Sequence, residues 1–173
     1  MWFTRPSAPP PAARLVIAFD VGTTFSGVAY AIITPGATTT PVAEGVTRFL
    51  GLPNQAFKAP SVLWYKRDGT LHSAGGRAPK PQTGDAHDED EDLICVEWFK
   101  LWLRPATLPS DGLRTADLVP LPAGKTVVDV LADYLGYLYA SAQRFISEKG
   151  IFAGLFVAVL SGAVGVIFAA LAA

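Results

Sequence analysis

Residues 15–30 read LVIAFDVGTTFSGVAY, and the turn at the centre of this stretch decides how the rest is organised. Leu15-Val16-Ile17-Ala18-Phe19 is a short continuous apolar run, which predicts a strand buried on both faces. Asp20-Val21-Gly22 ends it, and a second strand is expected over Ser26–Ile33, stopped by Thr34-Pro35-Gly36. Gly22 permits a turn that a side chain would obstruct and lets backbone N–H groups approach an anion. Thr23 and Thr24 add hydroxyl donors there, and Asp20 is placed to hold a Mg²⁺-bound water. The set suits a phosphate and metal cradle. Asp-x-Gly turns with threonines also close ordinary hairpins, so the short pattern by itself leaves both readings open.

Working outward, strands are expected at Val46–Leu50 and Ser61–Tyr65. The latter leads through Arg67-Asp68-Gly69 into Thr70–Ser73 as a hairpin. The segment from Gly75 to Asp92 has linker composition. Its acidic part, about 80–92, carries Asp85, Asp88, Glu89, Asp90, Glu91 and Asp92, which repel one another and favour a solvated chain. Beyond it, helices are expected over Leu93–Leu103 and Val127–Ile146. Thr126 caps the second, with Asp129 three positions on.

Residues 1–14 form a proline-rich leader, expected to be disordered, with no apolar run long enough for a signal peptide. Ile151–Ala173 is the opposite: 23 residues without a charge. The mean hydropathy of +0.32 is owed to this tail, since the remainder averages near zero. As a helix it would reach about 34 Å, enough to cross about 30 Å of hydrocarbon. Arg144 and Lys149 precede the tail and nothing charged follows. The expectation is therefore a tail-anchored protein on the cytosolic face of a membrane, or a cytoplasmic one if the tail is no true span. Gly154, Ala158 and Gly162 at four-residue steps suggest helix–helix self-association. A misread exon boundary at Gly150 would produce the same abrupt change.

Composition removes several classes. The 14 Lys+Arg and 15 Asp+Glu give a net charge of -1, without the basic footprint of a nucleic-acid binder. One cysteine, Cys95, excludes a secreted disulfide scaffold. His72 and His87 are the only histidines, and neither has a second histidine at ligand spacing. Gly124-Lys125-Thr126 fails as a phosphate-binding Walker motif because Val119 stands where a glycine is required; it opens a helix instead. No Gly-x-Ser-x-Gly context surrounds Ser26, Ser61 or Ser73. Trp98, Phe99 and Trp102 read as core packing, and Cys95 as a buried thiol.

The run Leu15–Tyr30 resembles the first phosphate loop of the actin-like ATPase superfamily, and specifically of the 70-kilodalton heat-shock chaperones. Asn54-Gln55, Pro60-Ser61 and a hairpin ending near Ala74-Gly75 are similar to the next landmarks of that family. Glu97-Trp98-Phe99-Lys100 and the Pro122–Asp129 stretch resemble the divergent heat-shock-70-like proteins common in fungi. The likeness spans about Leu15–Lys149. It implies an α/β fold over residues 15–150: a partial actin-like (ribonuclease H-like) ATPase lobe with β-hairpins, followed by helices and the apolar C-terminal helix.

By that resemblance ATP and Mg²⁺ are the expected cofactors. Asp20 would be the catalytic and metal residue, orienting the metal's water shell, while Gly22, Thr23, Thr24 and Phe25 would contact the nucleotide. Phe25 replaces the family's usual tyrosine. The family's catalytic lysine corresponds to Lys80, displaced by one position and preceded by Pro79. The second phosphate loop and the glycine-rich adenosine loop occur nowhere in the sequence. The resemblance thus implies an incomplete ATP-binding domain with weak binding and little or no hydrolysis. The alternative is a membrane-anchored interaction or scaffold protein without nucleotide chemistry. Client proteins are not readable from the sequence.

Overall fold

The computed structural model describes residues 13–76, 93–103 and 118–151, and the backbone of 156–162. The leader, the acidic linker with His87, and Lys80 lie outside the described residues.

The first strand, β1 (Arg14–Asp20), and the second, β2 (Phe25–Ile33), form an antiparallel hairpin with Asp20 opposite Gly27. β3 (Glu44–Gly45) and β4 (Ala59–Pro60) are two-residue strands, each antiparallel to β2. β5 (Val62–Tyr65) and β6 (Leu71–Ala74) form the expected second hairpin. Asp68 closes its turn by accepting the Thr70 N–H at 2.8 Å, and Gly69 supplies a φ of 85°. β7 (Ile94–Glu97) adds to the far edge of β5, giving a three-stranded sheet β6-β5-β7.

The helix expected over Leu93–Leu103 is therefore corrected to a strand followed by a short 3₁₀ helix, η1 (Phe99–Leu103). Ile94-Cys95-Val96 matches β5 residue for residue. Trp98, at a φ of 55°, breaks the extended chain before η1 begins. The strand expected at Val46–Leu50 is likewise corrected: that stretch forms no strand, and the two-residue β3 ends just before it at Gly45. Val46 and Phe49 are buried all the same, and the Val46 N–H donates to Val28 O at 2.8 Å.

The α-helix α1 (Val127–Glu148) begins where the cap predicts. Asp129 N–H donates to Thr126 Oγ1 at 3.2 Å, and Thr126 N–H donates back to Asp129 Oδ2 at 2.8 Å. These bonds hold the Asp129 carboxyl below its ordinary value, chiefly through the Thr126 side chain. Lys125 has a structural partner in Asp133, at 2.8 Å, as its helix-opening reading requires. Val130, Tyr134, Leu138, Ala142 and Phe145 form the buried face of α1. They pack over Leu15, Ile17 and Phe19, which β1 presents on one side. Val16 is only half-buried and Ala18 is exposed, which corrects the expectation of burial on both faces. Among the described residues a single α-helix covers the sheet, so one face suffices to build the core.

The largest correction concerns the tail. Phe156–Gly162 is a strand, β8, parallel to β1 with Arg14 opposite Phe156 and Asp20 opposite Gly162. The main sheet runs β3-β2-β1-β8, with β4 also on β2. A continuous apolar run has no periodicity to separate strand from helix. Here the second edge of β1 supplies backbone partners that an isolated segment lacks. Among the described residues no helix is long and apolar enough to cross a membrane. The C-terminal apolar helix, the transmembrane assignment and the tail-anchored location are all overturned, and the self-association argued from helical spacing loses its helix over Phe156–Gly162. The architecture is a small α/β arrangement of mostly antiparallel strands, with the chain returning through α1 to a parallel strand at the end.

Candidate functional site

The turn from β1 to β2 is held from beneath by two buried serines. Gly22 N–H donates to Ser26 Oγ at 3.2 Å, the two serine hydroxyls share a 2.8 Å bond, and Ser61 Oγ is 2.9 Å from Gly22 O. Ser61 N–H adds a bond to Thr24 O at 2.8 Å. Ser26 faces inward because β2 alternates, leaving Phe25 outside at 52 % exposure. Ser61 is brought in by the β4–β2 pairing. The glycine is required by space: a Cβ at Gly22 would run into the Phe25 carbonyl oxygen.

The lock has a measurable weight. Ser61→Ala removes both hydroxyl bonds, leaving the Gly22 carbonyl without its donor and Ser26 Oγ with only the Gly22 N–H, so unfolding free energy in urea should fall by about 1–3 kcal/mol. Amide exchange at residues 22–24 should accelerate. Unchanged exchange there would show that the loop is held by something else.

Two lysines flank the loop. Lys58 Nζ lies 3.0 Å from Asp20 Oδ2, both groups being well exposed, and Lys100 Nζ donates to Val21 O at 2.6 Å. Sequence reasoning assigned neither a role. Lys100 belongs to the quoted Glu-Trp-Phe-Lys landmark, but nothing local shows that η1 aims it at Val21, and Lys58 carries no motif at all. Each arrives from a distant segment through sheet pairing.

Thr23, Thr24 and Phe25 line a cleft of about 270 Å³ with residues of β5 and β7. Among the described residues the two threonine hydroxyls have no hydrogen-bond partner. Trp98 also lines this cleft at 42 % exposure, whereas Phe99 is buried against Tyr134 with ring centroids 5.2 Å apart. Core packing thus holds for Phe99 and not for Trp98. Cys95, expected to be buried, is half-buried in the cleft wall; desolvation, then the neighbouring Glu97 charge, push its thiol up. A raised thiol is a poor nucleophile at neutral pH.

Asp20 lies at the mouth of the loop, engaged with Lys58 and not among the cleft-lining residues. Among the described residues no three His, Cys, Asp or Glu side chains converge to hold a metal. Gly22, Thr23, Thr24 and Phe25 share one half-exposed turn, with Lys58 bonded to Asp20 and Lys100 to the Val21 carbonyl at its start.

No family model, no curated protein and no solved structure matches this chain.

Proposed function

We propose that the Asp20–Phe25 turn receives the phosphates of ATP, and that the chain is an incomplete nucleotide-binding unit of the heat-shock-70-like kind with little or no hydrolysis. The observation that carries this reading is the serine lock. Ser26 and Ser61 consume the internal bonding of Gly22 and fix the turn, while the Thr23 and Thr24 hydroxyls are left for an anion. The turn also sits outside the carboxyl end of β1, the end at which the parallel strand β8 finishes as well.

Lys58 and Lys100 offset phosphate charge by position, and the threonine hydroxyls donate to phosphate oxygens. Mg²⁺, when bound, would neutralise charge on the phosphates, with Asp20 holding one of its waters. That role requires the Asp20 carboxylate to be shared with, or released by, Lys58.

Affinity is expected to be low. Strong sites bury a ligand from several sides, and the sequence lacks the second phosphate and adenosine motifs that would build the opposite wall. Titrating Mg-ATP while following backbone amide resonances should shift residues 22–25 with a dissociation constant of about 1 mM, corresponding to about 4 kcal/mol. Asp20→Ala should weaken the response when Mg²⁺ is present and alter it little when the metal is chelated. A low-micromolar constant would overturn the incomplete-site reading. Resonances of residues 22–25 that stay still at saturating nucleotide would overturn nucleotide binding and favour a scaffold without such chemistry.

A further inference from the structure

Trp98 is the one non-glycine residue with a positive φ among the described residues, at 55°. A bulky side chain in that region carries strain, and such strain persists where the surroundings or a function require it. The indole is held there with 42 % of its surface still exposed. Phe25, at 52 %, is a second large ring kept at the surface of the same cleft, and Trp64 contributes a third to its wall. Trp64 is fixed by its own Nε1–H bond to Gly76 O, at 3.3 Å.

The cleft is chemically divided. Its loop side offers the Thr23 and Thr24 hydroxyls, which suit phosphate oxygens. Its β7 side offers Glu97, which repels them and accepts hydrogen bonds from amino groups. At about 270 Å³ it falls just below the usual 300–1,000 Å³ of complete ligand sites, so it holds one ring system and not a whole nucleotide.

We infer that this cleft takes the planar heterocycle of a nucleoside phosphate, stacked on Trp98 and Phe25, while the phosphates lie on the Gly22–Thr24 turn. The inference rests on the phosphate reading above and adds the base to it. The base is thereby bound on the same side as the phosphate loop, by aromatic faces, with Glu97 able to accept from an exocyclic amino group. Sequence-tolerant stacking of this kind favours any purine over a bare phosphate chain.

The test compares Mg-ATP with magnesium tripolyphosphate on the full chain, following residues 22–25 and the alkylation rate of Cys95, the only cysteine. ATP should bind about tenfold more tightly than tripolyphosphate, within what one stacked base contributes. ATP should also slow iodoacetamide labelling of Cys95, and tripolyphosphate should not. Trp98→Gly should bring ATP down to the tripolyphosphate level while tripolyphosphate itself still shifts residues 22–25 as before. A merely structural tryptophan would leave the preference for ATP over tripolyphosphate unchanged. Phe25→Ala, at an exposed position, provides a second variant expected to lower the preference for ATP over tripolyphosphate.

Equal binding of the two ligands at residues 22–25 would overturn the base-binding inference and leave the phosphate reading standing. Retention of the ATP preference in Trp98→Gly would overturn it as well. If neither ligand moves residues 22–25, the phosphate reading itself falls, and this inference with it.

Discussion

Gly75→Ala is expected to destabilise the fold by about 4 kcal/mol, through left-handed backbone strain and overpacking together. Gly75 has a φ of 73°, a conformation that costs an L side chain about 1–2 kcal/mol. An added Cβ would also drive into the Tyr137 hydroxyl and ring. Tyr137 has little room to withdraw. Its hydroxyl donates to Leu50 O at 3.0 Å, and its ring lies 5.9 Å from that of Tyr134. Gly75 cannot move aside either without losing its N–H bond to Val62 O, at 2.9 Å. Denaturant unfolding of Gly75→Ala, Tyr137→Ala and the double variant should show strong non-additivity, with the double variant far better than the sum of the singles. Additive losses would mean that the two residues do not collide.

Tyr134→Ala should cost a comparable amount, about 3–5 kcal/mol, the usual range for deleting a buried aromatic side chain. Tyr134 is fully buried in the middle of α1 and is the place where the separate parts of the molecule meet. Its ring contacts Phe99 of η1, and its hydroxyl donates to Pro60 O of β4 at 3.0 Å. Pro60 is the residue before Ser61, so the phenol steadies the strand that carries half of the serine lock. Tyr134→Phe keeps the ring and should lose only about 1 kcal/mol, the net worth of one hydrogen bond. In chemical denaturation the two variants should therefore separate by several-fold in lost stability. Similar losses for both would place the energy in the hydroxyl and contradict a packing role.

The parts of the fold that were legible in the sequence are those specified by neighbours along the chain. The turn at Asp68-Gly69, the Thr126/Asp129 cap and the helical spacing from Val130 to Phe145 each act within a few residues, and each leads to the element expected. Ile94–Glu97 was harder. Four residues of alternation are too few to outweigh the helical look of the longer Leu93–Leu103 stretch, and the break at Trp98 is marked by no glycine. The tail failed for a different reason. An apolar run states only that water is excluded, and whether lipid or a sheet edge does the excluding depends on β1, far away in the chain. The same limit governs the site. Asp20 to Phe25 could be read directly because they are consecutive, whereas Lys58, Lys100 and Ser61 converge only after the strands have paired.

The pairing of β8 with β1 also has a consequence for how the chain matures. Arg14 must await Phe156, so one long edge of the first strand stays open until everything between them has been synthesised. Contacts between such distant segments form slowly because the closure entropy of the long intervening loop is lost before they reward it. During that interval the exposed ladder of β1 is available to any other extended segment. The nascent protein should therefore depend on protection early in its life, and the emergence of β8 ends that dependence.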